Sequence, residues 1–252
     1  AIGQDQSVLS QLQRQLVQAE KMSSLGRIAA GVVHELNNPL TAIGVYSEHL
    51  ISKARSRGQT GENACVEECD KLVSIRDNAE RIQAFAKDLM QYAKPAMGAR
   101  ARVSLNQVIN KSLVFCEHLF GDSGIVLHRD LQTKLPDVYA VPGQLEQVIV
   151  NLVTNAVQAS APVGRVEVRS YCEDASRVIL AVKDEGPGIS ISDQERIFEP
   201  FFTTKSDGEG TGLGLCIVRN IMERNSGELL LDSELGNGSE FRCVIPAFAE
   251  TN

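Results

Sequence analysis

Apolar residues recur at alternating steps of three and four in the first part of the chain. The spacing is strict from Leu9 to Ala19, which is typical of a coiled-coil seam, and it continues less strictly to Leu50. Pro39 falls inside this pattern, so we expect it to kink the helix without ending it. The pattern predicts one long amphipathic helix from about Asp5 through Glu35 and beyond.

A second helix with an unbroken heptad seam is predicted from Leu72 to Leu89, and it ends at Lys94-Pro95. The segment SRGQTGEN at 56–63 has the composition of a turn. One such helical hairpin cannot bury both of its apolar stripes. Because two hairpins can do so as a four-helix bundle, we predict a homodimer through residues 20–93.

After Gly98, helical patterns alternate with β-rich runs. Helices are predicted at Leu105–Phe120, Gly143–Ser160 and Leu213–Asn225. Strands are predicted at Ile125–Leu131, Val138–Val141, Arg165–Tyr171, Arg177–Lys183, Glu228–Ser233 and Ser239–Ile245. Antiparallel strands with helices on one face form an α/β sandwich. The predicted fold class is therefore α+β, a long-helix hairpin followed by a sandwich.

Charge and composition exclude several classes of protein. The 252 residues carry 25 Lys+Arg and 32 Asp+Glu, a net charge of −7, so no basic field is available for nucleic acid. No apolar run is long enough for a membrane span. The six cysteines form no CxxC pair, which predicts reduced structural thiols in a cytoplasmic chain. A start at Ala1 is expected of a fragment or a processed terminus.

His34 lies in the run HELNNPL on the first predicted helix. It is two residues from both Val32 and Leu36, so it points away from the apolar stripe and toward solvent. Glu35 beside it can fix the ring tautomer and raise the nucleophilicity of the other nitrogen. The alternative is an ordinary exposed helix histidine.

Three amide side chains lie on one face of the helix predicted at Gly143–Ser160: Asn151, Asn155 and Gln158. Amide oxygens are ligands for a hard divalent cation, which they can hold with its waters against phosphate oxygens. Solvated amides on a surface helix are the alternative.

Asp184 ends a predicted strand and is followed by Gly186 and Gly188. A carboxylate there can accept a hydrogen bond from an exocyclic amine of a purine, and the glycines let the backbone approach the base. A plain Gly-Pro turn is the alternative.

Alternating glycines precede the last predicted helix, at Gly210, Gly212 and Gly214. A helix that starts there presents free N–H groups to phosphate, although the spacing is neither that of a P-loop nor that of a dinucleotide fold. Lys205 can reach phosphates as a point charge. Three phenylalanines, Phe198, Phe201 and Phe202, lie within five positions. This cluster indicates either an apolar latch that holds a glycine-rich lid or an ordinary part of the core.

The order of the motifs is more specific than any one of them. They run HExxNP, NxxxNA, DxGxG, FEPFF and GTGLGL. This set resembles the sensor histidine kinases of two-component signalling, from about Met22 to Ala247. HELNNPL and FFTTK are most similar to the nitrogen-regulation and dicarboxylate sensors. The resemblance implies a sandwich of the GHKL (Bergerat) ATP-binding type, with ATP and Mg²⁺ as cofactors.

The resemblance also implies roles for the residues of the first helix. His34 would accept the γ-phosphoryl group of ATP, and Glu35 would be the activating base. Asn38 would position a water that removes phosphate from the partner. That partner would be a response-regulator receiver domain, whose Asp takes the phosphoryl group from His34.

The remaining matches imply a nucleotide site. Asn155 matches the magnesium-binding Asn, and Asn151 would contact the metal–phosphate cluster. Asp184 matches the adenine-reading Asp, with Gly186 and Gly188 in the turn after it. Further nucleotide-binding matches are Lys205, Gly210, Gly212 and Gly214, of which Lys205 stands where the family varies.

The implied domains are a coiled-coil signalling helix at 1–20, a dimerisation and phosphotransfer domain at 21–95, a linker at 96–101 and a catalytic domain at 102–250. An upstream sensor domain in a parent chain is expected, and whether that parent is anchored in a membrane stays open. Two alternatives compete with a kinase. A GHKL-type ATPase would place a catalytic Glu four residues before the metal Asn, where this chain has Asn151. A dimeric scaffold would bind nucleotide without catalysis.

Overall fold

The structure, a computed structural model, describes residues 36, 39–50, 52–53, 71–79, 82, 85–86, 98–121, 124–160, 162–174, 176–205 and 210–249. The chain divides into two compact units. The first contains Ala1–Leu89 and Lys205–Glu209, and the second contains Met90–Thr204 and Gly210–Asn252. Among the residues described, none belongs to a helix that is long and apolar enough to cross a membrane.

The described part of the first unit is helical at residues 39–50 and 71–79, as the two predicted helices require. Two residues of the predicted seams are open to solvent in the single chain, since Leu40 is 52% exposed and Leu72 is 56% exposed. The seam from Leu9 to Ala19 and the turn at 56–63 lie outside the described residues.

The second unit has an α+β fold, in agreement with the predicted class. Its strands are β1 (Ala101–Val103), β2 (Ile125–Leu131), β3 (Val138–Ala140), β4 (Gly164–Asp174), β5 (Arg177–Asp184), β6 (Glu228–Ser233) and β7 (Ser239–Pro246). Its helices are α1 (Leu105–Phe115), α2 (Glu117–Gly121), α3 (Pro142–Ser160), α4 (Ile191–Gln194) and α5 (Gly214–Arg224), with a 3₁₀ turn at Arg196–Phe198.

The five-stranded sheet has the order β2-β4-β5-β7-β6, and β1 pairs with β3 in a separate ribbon. The prediction of antiparallel strands is wrong for one pair, because β2 runs parallel to β4. The other pairs are antiparallel. The chain between β2 and β4 includes the 19 residues of α3, and a crossover of that length permits parallel pairing.

Two further differences concern short elements. The helix predicted at Leu105–Phe120 is divided at Cys116, whose N–H bonds to the carbonyls of Ser112 and Leu113 and closes α1. Strand β1 and helix α4 were not predicted, because three or four residues are too few for periodicity to identify an element.

The apolar faces of α1, α3 and α5 contribute to one hydrophobic core together with the sheet. β5 lies between β4 and β7, and its residues from Val178 to Val182 are all buried. This explains the uninterrupted apolar run VILAV, which a strand covered on both faces requires. The chain leaves this central strand at Asp184, and the candidate site begins there.

Candidate functional site

Helix α3 separates apolar from amide side chains. Leu152 and Val153 are buried in the core, whereas Asn151 and Asn155 are half-buried and Gln158 is exposed. A 3.6-residue period places the two asparagines on a common side because they are four residues apart. Two amide groups are therefore available on one face of a helix that the core holds in place.

The first turn of α5 lies against these amides. The Asn151 Nδ2 group donates a hydrogen bond of 3.3 Å to the carbonyl oxygen of Gly214, the first residue of α5. A Cβ added to Gly214 would lie 3.6 Å from Asn155 Nδ2. Two predicted motifs that are about 60 residues apart in sequence therefore meet in the structure. Leu213, at the N-cap position of α5, has no side-chain acceptor for the first N–H groups of the helix.

Asp184 is buried, with 4% of its surface exposed. Its Oδ1 accepts hydrogen bonds from the backbone N–H groups of Gly186 at 2.9 Å and Ser239 at 3.2 Å. No described residue hydrogen-bonds its Oδ2. Burial raises the pKa of Asp184 above the ordinary value of 3.8, and the two backbone N–H groups oppose that rise.

The loop after Asp184 packs directly on the end of α3. A Cβ at Gly186 would lie 2.8 Å from the carbonyl oxygen of Ala159, so only a glycine permits this approach. Asp184 is thereby placed beside the same helix that carries Asn151 and Asn155. The structure brings these predicted residues together around α3.

The turn between β6 and β7 holds the other side of this loop. Gly188 has φ +69°, and a Cβ there would collide with the carbonyl of Glu234. The Gly236 N–H donates to the carbonyl of Pro187 at 2.7 Å. The Ser233 hydroxyl accepts from the Ile189 N–H at 2.9 Å.

Sequence reasoning missed three residues that support Asp184 and its loop. Ser239 donates to the carboxylate, Ser233 holds Ile189, and the Gln194 amide donates to the Ser233 carbonyl at 2.9 Å. The run SELGNGS indicates a turn, but only the adjacency of β5 and β7 shows that it meets Asp184.

Gly212 makes a close contact with Phe201. Both residues have positive φ, at +64° and +68°, and the Phe201 N–H donates to the Gly212 carbonyl at 3.0 Å. Phe198, Phe201 and Phe202 are partly buried against the core, which confirms the core interpretation of this cluster. Arg196 stacks on Phe202 at 4.3 Å from the ring centre. The latch for a lid stays a prediction.

The remaining predicted site residues are Lys205, Gly210 and three residues of the first predicted helix. Lys205 is half-buried and belongs to the first unit. Gly210 is half-buried and begins the last described stretch. His34, Glu35 and Asn38 lie outside the described residues.

Two family models match the chain. The model described as "His Kinase A (phospho-acceptor) domain" matches residues 24–98. The model described as "Histidine kinase-, DNA gyrase B-, and HSP90-like ATPase" matches residues 140–249. The second match includes α3, Asp184 and α5, so the cluster formed by these elements lies within it.

Known proteins match nearly the whole chain. The sensor histidine kinase ZraS of Escherichia coli (strain K12) is 35% identical over 93% of this chain and 48% of its own length. The chain spans about half the length of the curated relatives it matches. The catalytic domain of histidine kinase ThkA is 30% identical, with a TM-score of 0.54 over 60% of this chain and 99% of that one. ThkA solved with the response regulator TrrA is 28% identical, with a TM-score of 0.73 over 93% of this chain and 65% of that one.

The raised pKa of Asp184 predicts a pH-dependent stability. The contribution of this buried carboxyl to the free energy of unfolding is fully present below the pKa that the group has in the unfolded chain. It is lost as the pH rises through the higher pKa of the folded protein. Asp184→Asn retains the Oδ1 acceptor and cannot ionise. We expect it to melt at a higher temperature than the parent chain at pH 8, with a gain that shrinks toward pH 4.5. Calorimetry across this range measures the difference.

Asp232→Asn is the matched control, because it makes the same chemical change at an exposed aspartate of β6. It should not reproduce the pH-dependent gain. A melting temperature of Asp184→Asn below that of the parent at pH 8 contradicts the prediction.

Gly212 and Gly236 both have positive φ, but the contact between Gly212 and Phe201 predicts that they differ in how well they tolerate substitution by alanine. Gly236 has φ +88° and open space where a Cβ would lie, whereas a Cβ at Gly212 would also meet the Phe201 backbone. We expect Gly236→Ala to lower the melting temperature by about 2–4 °C, the effect of about 1 kcal/mol. Gly212→Ala should lower it at least twice as far. Equal shifts would exclude a steric constraint at Gly212.

Proposed function

This chain belongs to the sensor histidine kinases, and on that basis we propose that it is a dimeric kinase core that transfers the γ-phosphoryl group of ATP to His34. The observation that carries the proposal is the convergence of Asp184, the α3 amides and the start of α5 in the unit that matches the ATPase family model. The phosphoryl group then passes to an Asp of a response-regulator receiver domain.

Asp184 is proposed to recognise adenine. Its Oδ1 is held by two backbone N–H groups, and its Oδ2 has no protein hydrogen bond among the described residues. Oδ2 is therefore available to accept a hydrogen bond from the exocyclic amine of adenine. Gly186 and Gly188 keep the loop close to α3 and to the β6–β7 turn, which fixes the carboxylate in place.

The α3 amides are proposed to hold Mg²⁺, with Asn155 as the ligand and Asn151 at the metal–phosphate cluster. Their donor chemistry fits, since amide oxygens are hard ligands and the Asn151 hydrogen bond to Gly214 uses its nitrogen. The described residues contain no cluster of three His, Cys, Asp or Glu for a metal, so phosphate oxygens and waters would complete the shell. When bound, the metal neutralises charge on the phosphates.

The phosphates are proposed to lie at the start of α5. The first N–H groups of this helix have no acceptor in the Leu213 side chain and suit an anion. Gly210, Gly212 and Gly214 would let the backbone approach the phosphates, and Lys205 would add a positive charge.

Transfer to histidine is favoured over transfer to water. The position where the related ATPases carry a catalytic Glu is Asn151 here, and an amide cannot take a proton from water. His34, with Glu35 as the activating base, lies inside the stretch that matches the phospho-acceptor model. Asn38 is proposed to position a water for dephosphorylating the regulator.

The homodimer and the domain limits are part of the same proposal. Leu40 and Leu72 are predicted seam residues that stand half-exposed in the single chain, and a second hairpin would cover them. We propose dimerisation through 21–95, a linker at 96–101 and a catalytic domain at 102–250. ThkA, a similar kinase, has been solved with a response regulator, which supports a receiver domain as the partner.

Replacing the proposed phosphoacceptor separates a kinase from an ATPase or a scaffold. We expect His34→Gln to abolish acid-labile incorporation of label from γ-labelled ATP, because glutamine has no imidazole nucleophile. The control is His49→Gln, which removes an exposed histidine from the helical stretch at 39–50. Label retained in His34→Gln, or an unlabelled parent that steadily releases phosphate, would contradict the proposal.

The proposed role of Asn38 predicts that the two activities can be separated. Asn38→Ala should leave autophosphorylation within about twofold of the parent and slow dephosphorylation of a phosphorylated receiver domain at least about tenfold, since it removes only the group that orients water. The receiver domain is selected by phosphotransfer from the parent chain. Asn37→Ala is the neighbouring control, and equal loss of both activities in Asn38→Ala would refute the assigned role.

A further inference from the structure

Two buried amide side chains connect the far ends of α3 and α5. Gln144 lies in the first turn of α3 and is 8% exposed, and Asn225 is the C-cap residue of α5 and is 3% exposed. Asn225 Nδ2 donates to Gln144 Oε1 at 2.9 Å and to the Ile221 carbonyl at 2.8 Å. The pair therefore joins the end of one helix to the start of the other.

This pair is polar where its surroundings are apolar. The neighbouring buried residues of the two helices are Leu145, Val148 and Ile149 on α3 and Val218, Ile221 and Met222 on α5. The Asn225 Oδ1 atom is buried and finds no hydrogen-bond partner among the described residues. Burying an amide with an unpaired oxygen costs free energy that a pair of apolar side chains would not cost. Stability alone does not account for these two residues.

The proposed phosphate and metal site lies at the opposite end of α5, where it meets the middle of α3. Asn151 bonds to Gly214 there, and Asn155 lies beside it. Eleven residues separate Gly214 from Asn225, and eleven separate Asn155 from Gln144. At 1.5 Å per residue, each distance is about 16 Å of helix. The two helices are thus antiparallel, and these contacts join them at two separate points.

We propose that Gln144 and Asn225 are positioning residues that set the axial register of α5 on α3, and with it the placement of Gly214 against Asn151 and Asn155. An apolar interface specifies axial register weakly, because its contacts are not directional. A buried hydrogen bond is directional and therefore fixes the register at one point. A slip of one residue would move Gly214 by about 1.5 Å. The inference rests on the proposed function, since it assumes that this end of α5 meets the phosphates and Mg²⁺.

The test is the double variant Gln144→Met with Asn225→Leu in the full chain. Replacing both residues by apolar side chains of similar shape removes the donor and the acceptor of this hydrogen bond together, so neither is left facing an unpaired partner across it. We expect the melting temperature to stay within about 2 °C of the parent or to rise. The gain in ADP affinity that Mg²⁺ provides, measured by titration calorimetry with Mg²⁺ and with EDTA, should fall about tenfold.

Two further variants make the comparison specific. The exchanged pair Gln144→Asn with Asn225→Gln can still form an amide hydrogen bond and should recover most of the Mg²⁺-dependent affinity. Gln132→Met makes the same chemical change at an amide that accepts a hydrogen bond from Cys172 N–H, away from both helices, and should leave the affinity unchanged. If the double variant does not fold, Gln144→Met alone is compared with Gln132→Met, because it retains the Asn225 bond to Ile221.

The outcomes separate the inference from the proposed function. An unchanged Mg²⁺-dependent affinity in a folded variant, or an affinity that falls only in step with the melting temperature, overturns the positioning role. A parent chain that binds ADP but does not phosphorylate itself overturns the kinase proposal. In that case the affinity ratios still decide the role of Gln144 and Asn225.

Discussion

The packing of α3 against both the sheet and α5 is the constraint on which the candidate site depends. Its buried residues hold the helix against the core, and this fixes the direction in which Asn151 and Asn155 face. The loop after Asp184 is placed by its contact with Ala159 on the same helix, and the first turn of α5 contacts that helix through the hydrogen bond from Asn151 to Gly214. Three segments that are far apart in sequence therefore take their positions from one amphipathic helix.

Several features of this region oppose stability and are retained nevertheless. Asp184 is buried with its pKa raised, Phe201 has a positive φ, and Asn225 has a buried oxygen without a described partner. Each costs free energy that an apolar residue or a relaxed backbone would not cost. Their location around α3 and α5 indicates that the site is stabilised by the surrounding core and not by its own interactions.

Much of the second unit could be predicted from the sequence because its elements are amphipathic and of ordinary length. The run VILAV indicated a strand, and the amide spacing on α3 indicated a polar face, which the structure confirms. The parallel pairing of β2 with β4 could not be predicted, since strand direction depends on the path of the connecting chain. The roles of Ser239 and Gln194 were also missed, because they act on residues 55 and 39 positions away in sequence.

By itself, the sequence determined the candidate residues for the chemistry and their order, because residue type and local period can be read along the chain. It identified His34, the paired amides, Asp184 and the alternating glycines, and with them the family that the comparisons confirm. Only the tertiary structure decided which of these groups meet, and it showed Gly214 against the α3 amides and Gln144 bonded to Asn225. The reason is that strand order and helix register are set by long-range packing, which no local pattern encodes.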